Sequence, residues 1–245
     1  MSGRVGSITT GIITNGLVLN MDVGNLASFS QNNKIINTAD ISISGSFQGA
    51  PTFNDTSLSF KYLRFDGIDD WIRIKDSDFP SNRTAFTIEI IYSPWANHTN
   101  FKNPGIAKWQ TGANSNNEWF LGCRDASGPS PFFFNVFGTS SNIIDTSAAG
   151  LNYTAGNWYY QVGTFDGNNN GLQKLYVNGV LYASNETGLS ACKTYSPQDV
   201  SISNFGTSYQ YEAKQNVGRI AYYNRALSDN EILHNYNALK SRFGL

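Results

Sequence analysis

The chain has 245 residues, a formal net charge of −1 and a charged fraction of only 14%, whereas 40% of its residues are hydrophobic and 14% are aromatic. The aromatic content argues against intrinsic disorder, and the scarcity of charged residues argues against a coiled coil. The near-neutral charge provides no basic field for nucleic acid or an anionic membrane surface, so we expect neither as a partner.

Residues 1–15 are predicted to form an N-terminal arm. They contain no apolar core of signal-peptide length, and no segment approaches the about 18 apolar residues that span a bilayer. We therefore expect synthesis in a cytoplasm and no membrane insertion. The two cysteines, Cys123 and Cys192, are too few for a disulfide scaffold in a chain of this size. Two buried thiols are the favoured interpretation, and a bridge between them stays open.

Strand signals follow one another along most of the chain. Runs of aromatic and β-branched residues alternate with polar ones and are separated by Gly, Asn, Asp or Ser turns, as in an antiparallel sandwich. Asn178-Gly179 is the strongest local signal, because this pair favours a two-residue hairpin turn. The predicted strands are residues 17–21, 62–65, 71–75, 86–92, 105–109, 118–123, 132–137, 158–165, 175–177, 180–182, 200–204 and 215–223.

A single short helix is predicted near the C-terminus, over residues 228–240. Ser228 and Glu231 have the spacing of a capping box, and Leu227 and Ile232 that of a hydrophobic staple. The apolar residues of this helix then fall on one face, which we expect to pack on the sandwich. With no linker in view, the sequence predicts one all-β domain over residues 1–245 with one C-terminal α-helix.

Six segments, in this order, resemble the laminin-G-like domains of the concanavalin A-like lectin/glucanase superfamily. The resemblance covers nearly the whole chain and implies an antiparallel jelly-roll β-sandwich. The segments are Gly16-Leu-Val-Leu-Asn-Met-Asp22-Val-Gly-Asn25, Phe65-Asp66-Gly67-Ile-Asp69-Asp70-Trp71-Ile72, Phe86-Thr-Ile-Glu-Ile-Ile91, Asn157-Trp158-Tyr-Tyr-Gln-Val162-Gly-Thr-Phe165-Asp166, Lys174-Leu-Tyr-Val-Asn178-Gly179 and Gly218-Arg-Ile-Ala-Tyr-Tyr-Asn224-Arg225-Ala226-Leu227-Ser228-Asp229.

A narrower resemblance concerns the two ends of the chain. The start Ile13-Thr-Asn-Gly-Leu-Val-Leu19 and the ending Asn235-Tyr-Asn-Ala-Leu-Lys-Ser-Arg-Phe-Gly244 are similar to virion proteins of tailed bacteriophages. Such proteins are head decorations, head fibres or tail appendages. The resemblance implies a virion location, capsid or tail subunits as partners, homo-oligomer formation and, as a further partner, a glycan of the host surface.

The carboxylates do not form the pattern of a glycosidase. Glycosidases need two carboxyl groups at a fixed separation. The retaining glucanases that the superfamily includes carry the pattern Glu-x-Asp-x-(x)-Glu on one strand, which places the carboxylates on the same face. Glu89 stands alone between Ile88 and Ile90, and none of the other glutamates lies in such a motif. No nucleophile elbow accompanies the two histidines, and no zinc-binding spacing is present. We expect no enzymatic activity, and a glycosidase stays a remote alternative.

Calcium is an open alternative, because many laminin-G-like domains bind it. Calcium prefers several carboxylate, amide and carbonyl oxygens. The candidate ligands are Asp22 and Asn25 in one turn, and Asp66, Asp69 and Asp70 in another. The same residues also suit turns, where an Asx side chain accepts hydrogen bonds from nearby backbone amides.

Glycan binding is the usual role that the family resemblance implies. Sugars present apolar C–H faces that stack on flat aromatic rings, and amides bind their hydroxyls. The alternative for each aromatic side chain is packing at the sandwich edge or on a neighbouring subunit. The candidates in predicted loops are Trp95, Trp109, Trp119, Tyr209, Tyr211 and Asn116.

Phe133 lies within Phe132-Phe133-Phe134, a strand that sends aromatic side chains to both faces. Since an exposed Phe133 would be costly, either a loop covers this face or the strand marks an interface. Taken together, the sequence predicts a non-enzymatic virion structural protein that adheres to glycans. A lectin module with a defined sugar site, with or without calcium, is the alternative.

Overall fold

The computed structural model describes residues 11–30, 33–54, 60–79, 82–95, 103–109, 117–123, 131–138, 141–193, 198–205 and 212–245. Within these ranges, seventeen strands form two antiparallel sheets, and one α-helix follows the last strand. The elements are β1 (Leu17–Asp22), β2 (Phe29–Ser30), β3 (Lys34–Ile36), β4 (Ser44–Gln48), β5 (Thr52–Asn54), β6 (Tyr62–Asp66), β7 (Trp71–Ile74), β8 (Ala85–Pro94), β9 (Asn103–Lys108), β10 (Trp119–Cys123), β11 (Phe132–Phe137), β12 (Ser141–Asp145), β13 (Tyr159–Asp166), β14 (Leu172–Val177), β15 (Val180–Glu186), β16 (Val200–Ile202), β17 (Lys214–Tyr223) and α1 (Asp229–Phe243).

The two sheets stack face to face as a sandwich. Among the described residues, the eight-stranded sheet has the order β15-β14-β13-β8-β17-β6-β5, with β1 also paired to β17. The nine-stranded sheet has the order β12-β11-β10-β9-β16-β7-β4-β3-β2. The predicted all-β sandwich with one C-terminal helix is confirmed. The same part of the chain contains no helix with the length and apolar character that crossing a membrane requires.

Strand alternation separates an inner core from an outer surface. Along β8, the side chains of Phe86, Ile88 and Ile90 point into the core between the sheets, whereas Glu89 and Ile91 lie on the opposite face. Both faces of β8 are buried, because α1 covers part of the outer face of the eight-stranded sheet. This double coverage explains why the strand reads as a nearly continuous apolar run.

Buried glutamines join the two sheets across the core. The Gln161 side-chain amide donates to the backbone carbonyl of Gly122 over 2.8 Å, and that of Gln215 donates to the carbonyl of Pro104 over 3.0 Å. Both side chains start from the eight-stranded sheet and reach carbonyls of the nine-stranded sheet. They satisfy carbonyl groups that would otherwise be costly to bury, and they fix the relative position of the sheets.

Two local predictions are confirmed in detail. Asn178 and Gly179 take φ values of 51° and 78°, so both central turn positions are left-handed and join β14 to β15. Ser228 is the N-cap of α1: its hydroxyl accepts from the Glu231 amide, and the Glu231 carboxylate accepts from the Ser228 amide. The helix continues to Phe243, three residues beyond the predicted end, and Gly244 ends it in the left-handed conformation.

Phe133 lies on the outer face of the nine-stranded sheet but is only 3% exposed. It packs against Phe120, with ring centroids 4.3 Å apart, and belongs to an aromatic cluster that includes Phe137 and Phe205. The interpretation that this face is covered is therefore confirmed. Cys123 and Cys192 are both buried and no disulfide joins them.

Candidate functional site

Trp119 does not lie in a binding loop. The prediction that its ring stacks on a sugar is corrected by its position as the first residue of β10, where the side chain points into the core and is fully buried. Its indole packs beside Phe79 and Tyr222, with centroid distances of 5.9 and 6.2 Å. The alternation of β10 puts Trp119 on the same face as Leu121 and Cys123.

Trp109 has a packing role at the end of β9. Its half-buried ring lies edge-on against Phe120 and Phe137, each at a centroid distance of 5.0 Å. It therefore closes the aromatic cluster on the outer face of the nine-stranded sheet, as the packing alternative proposed. The remaining candidates of this group lie outside the described residues: Asn116, Tyr209 and Tyr211.

Asp22 is engaged by the C-terminal helix, and its assignment as a calcium ligand stays a prediction. Both guanidinium NH groups of Arg242 donate to its two carboxylate oxygens, one of them over 2.6 Å, and the Gly24 amide donates over 3.0 Å. Asn25 forms an Asx turn, as the alternative interpretation predicted, because its side-chain carbonyl accepts a hydrogen bond from the Ala27 amide. The guanidinium supplies the positive charge that a cation would otherwise bring.

Asp66, Asp69 and Asp70 do come together, with one oxygen of each within 4.8 Å of the others. Asp66 and Asp69 are exposed, and Asp70 is buried. Asp70 accepts from the Ala50 amide over 2.7 Å and from the Asp66 amide over 3.1 Å, so it organises the turn. Burial raises the pKa of Asp70, and these two hydrogen bonds oppose that effect. The group offers oxygen ligands of the kind calcium prefers.

Trp95 alone among the described aromatic candidates presents its ring to solvent, and it is 37% exposed. It follows β8 and lies on the outer face of the eight-stranded sheet, where its amide donates to the Lys214 carbonyl. Ser93 lies two residues before Trp95, on the same face of the sheet. It is opposite Asn216 of β17, which in turn is opposite Arg64 of β6. We call these five residues, which β6, β8 and β17 bring together, the Trp95 face.

Two cations lie over the indole of Trp95. The guanidinium carbon of Arg64 lies 5.4 Å from the ring centroid, and the Lys214 ammonium nitrogen lies 5.9 Å from it. Both distances are in the range of cation–π contact. Neither cation forms an ion pair with a carboxylate in the described part of the chain, although Asp66 faces Lys214 across the sheet. The face therefore combines a flat ring with two positive charges.

The floor of the Trp95 face is polar. Ser93 is fully buried and Asn216 is 6% exposed. No described group forms a hydrogen bond with the Ser93 hydroxyl or with the side-chain carbonyl of Asn216. An unpaired buried polar atom costs about 1–3 kcal/mol, so the fold carries hydrogen-bonding capacity here that it does not use itself.

The sequence analysis did not select Arg64, Lys214, Ser93 or Asn216. One local signal was present, since Arg64 interrupts the apolar run of β6 and so had to point away from the core. Its neighbours could not be inferred, because they come from β8 and from β17, which lies about 150 residues further along the chain.

The glutamates lie away from this face and are enclosed. Glu89 is fully buried beneath α1, paired to Arg219 over 2.8 Å and accepting from the hydroxyl of Tyr160 over 2.6 Å. Glu118 is fully buried too and pairs with Lys108 over 3.0 Å. Desolvation and the Glu89 carboxylate both raise the pKa of Tyr160 well above its ordinary value, so its hydroxyl stays a neutral donor.

A cleft of about 400 Å³ separates the first turn of α1 from β13 and β14. Both cations that line it are paired, and Asp166 adds a further carboxylate. Lys174 pairs with Asp229 over 2.7 Å, and Arg225 pairs with Glu231 over 2.6 Å. The helix N-terminus in this cleft is capped by its own Ser228. The cleft therefore has the character of a helix-docking joint.

The fold is that of a lectin-like sandwich. A family model described as the concanavalin A-like lectin/glucanases superfamily matches residues 66–233, more than half of the chain. The chain belongs to this superfamily. No curated protein sequence gives a significant match.

Solved structures with the same fold include binding domains of larger proteins. The botulinum neurotoxin type G receptor binding domain aligns with a TM-score of 0.63 and 12% identity, covering 91% of this chain and 51% of that one. The binding domain of Paraclostridial Mosquitocidal Protein 1 gives 0.66 and 14%, covering 91% and 52%. This chain thus spans about half of those domains.

A third similar structure is matched over nearly its full length. Domain 4 of AbnA, a GH43 extracellular arabinanase from Geobacillus stearothermophilus, in complex with arabinotriose, aligns with a TM-score of 0.62 and 15% identity. The alignment covers 90% of this chain and 98% of that domain. At these identities the likeness establishes the fold.

Proposed function

We propose that this chain is a glycan-binding domain whose site is the Trp95 face. The observation that carries the proposal is an exposed tryptophan ring with two unpaired cations beside it and unpaired polar atoms beneath it. An indole ring accepts the apolar face of a sugar, and polar atoms around it bind the hydroxyls. The lectin-like fold, and the arabinotriose complex of a domain with that fold, support the same function.

We further propose that the domain binds without catalysis. Glycoside hydrolysis needs two carboxyl groups about 5–10 Å apart that both reach the substrate. On the Trp95 face the nearest acidic side chain in the sheet register is Asp66, opposite Lys214. Glu89 and Glu118 are enclosed in ion pairs. Sugar release would contradict this proposal, and Asp66→Asn would then be the first variant to examine.

The setting we propose is a bacteriophage particle, as a head decoration, head fibre or tail appendage next to capsid or tail subunits. The resemblance of both chain ends to virion proteins supports it. Many copies on one particle would convert weak contacts with a host-surface glycan into strong attachment. Mass spectrometry of purified virions tests the setting, and absence of the protein from the particles would overturn it.

A glycan array with wild-type protein and Trp95→Ala tests the binding function. We expect wild-type binding to a subset of glycans and a loss of about tenfold or more in the variant, since stacking on an aromatic ring contributes on the order of 1–2 kcal/mol. Trp109→Ala is the matched control, because it removes a half-buried indole from the other sheet. No binding to any glycan, or equal loss in both variants with intact folds, would overturn the proposal.

A further inference from the structure

We propose that the Trp95 face selects sugars that carry a negative charge, as a carboxylate or a sulfate. This inference rests on the proposed glycan-binding function and names its substrate class. Its basis is that Arg64 and Lys214 lie at the ring of Trp95, the exposed one among the described aromatic candidates, and form no ion pair with a described carboxylate.

Arg64 and Lys214 share the absence of an ion pair with other described cations, among them Lys34, Lys61 and Lys75, so what distinguishes them is their position at the Trp95 ring. In the described part of the chain, six cationic side chains pair with carboxylates, even where they are surface residues. Arg64 and Lys214 remain unpaired, although the chain has a net charge of −1 and Asp66 stands opposite Lys214. The six are Arg73, Lys108, Lys174, Arg219, Arg225 and Arg242.

The arrangement suits one charged sugar unit. A guanidinium binds a carboxylate or sulfate through two parallel hydrogen bonds, and an ammonium adds a second, less directional charge. Both groups lie within 6 Å of the Trp95 ring centroid, so an anionic substituent of a sugar that contacts the indole would be close to both cations.

The floor provides the remaining polar contacts. The hydroxyl of Ser93 and the side-chain carbonyl of Asn216 have no partner among the described residues and lie in the register positions next to Trp95 and Lys214. A sugar hydroxyl can donate to the carbonyl and can accept from the serine. Because both oxygen atoms are buried, a sugar reaches them only if the groups that cover them move aside.

Pairs of polysaccharides that share a sugar backbone and differ in charge separate the effect of the charge from that of the sugar. Polygalacturonate is compared with its methyl ester, and dextran sulfate with dextran, by calorimetry or biolayer interferometry. We expect wild-type protein to bind an acidic member at least about tenfold more tightly than its neutral partner, with an affinity that falls as salt is added. Binding of one acidic polymer alone, or of both, supports the proposal and identifies the anionic group.

Variants assign the preference to the two cations. Arg64→Gln and Lys214→Gln should each remove most of the preference for the acidic polymer. Lys61→Gln is the matched control, because Lys61 also lies over an aromatic ring, that of Phe53, outside the Trp95 face. Thermal unfolding confirms that each variant is folded.

A failure of the charge preference can be distinguished from a failure of the proposed glycan binding. Equal affinity for acidic and neutral partners, with a loss only in Trp95→Ala, overturns the charge preference and leaves glycan binding in place. Acidic binding that weakens as much in Lys61→Gln as in Arg64→Gln also overturns it, since the attraction would then be a general effect of charge. No binding of any polymer overturns the proposed function itself.

Discussion

Glu89 and Arg219 form an ion pair of 2.8 Å that is enclosed between the eight-stranded sheet and α1, with both side chains at most 1% exposed. Asn235 of the helix donates to the same carboxylate over 2.7 Å and accepts from the amide of Ile13 over 2.8 Å. One buried polar network therefore joins the central strands, the helix and the N-terminal arm.

We expect Arg219→Met to lower the free energy of unfolding by about 3–5 kcal/mol, because Glu89 would remain buried without its counter-charge. The double variant Glu89→Gln/Arg219→Met should recover part of this loss, since it removes both charges. Urea unfolding of the four proteins of this cycle measures the coupling between the two residues. Strictly additive losses would show that the pair is not coupled.

The capping box should produce a defined dependence of stability on pH. The Arg225 guanidinium is the main cause that lowers the pKa of Glu231 from its ordinary 4.5 to about 2. The folded state thus binds the proton less well than the unfolded state. The stabilisation is complete above pH 4.5 and is lost as the pH falls towards 2.

This pH dependence can be measured by urea unfolding between pH 5 and pH 2. Glu231→Gln should be less stable at neutral pH, and the gap to wild type should close on acidification. Ser228→Ala, which should cost about 1 kcal/mol as the loss of a helix cap, separates the cap from the charge. A gap that stays constant down to pH 2 would contradict the assignment.

Calcium should have no effect that depends on Asp22. Because Arg242 already neutralises this carboxylate, Asp22→Asn should lower stability by on the order of 1 kcal/mol, equally in excess calcium and in excess EGTA. Thermal unfolding in both conditions gives the comparison, and Asp69→Asn examines the separate Asp66, Asp69 and Asp70 group. A calcium-dependent stabilisation that disappears in Asp22→Asn would contradict this expectation and identify Asp22 as a ligand.

Gly163 should be intolerant of a side chain. A Cβ built at this position of β13 lies 2.6 Å from the ring of Phe134, which is fully buried in the opposite sheet. We expect Gly163→Ala to lower the unfolding free energy by about 1–3 kcal/mol, as overpacking does. Gly11→Ala, with no atom within 4 Å of the added Cβ, is the control and should be neutral. Equal stability of the two variants would contradict this packing.

Features set by chemistry within a few residues could be predicted from the sequence. The Asn178-Gly179 hairpin and the Ser228–Glu231 capping box depend on local backbone geometry, and both have the expected form. The assignment of Trp119 failed although the information was present, because the alternation of β10 already implied an inward side chain.

Features that join distant segments could not be predicted. Arg219 lies 130 residues from Glu89, and Arg242 lies 220 residues from Asp22. Such pairs depend on strand order and helix docking, which no local pattern specifies. The cations of the Trp95 face belong to the same category, since their meeting at one ring requires β6, β8 and β17 to be neighbours.

Residues 11–13 and α1 lie side by side on the outer face of the eight-stranded sheet, where His234 contacts the carbonyl of Gly11. The Trp95 face occupies the same side of the sandwich. An affinity tag or surface anchor attached after Leu245 would emerge on this side and hinder large ligands. Lys75, exposed after β7 of the nine-stranded sheet, is a better attachment point for a biosensor.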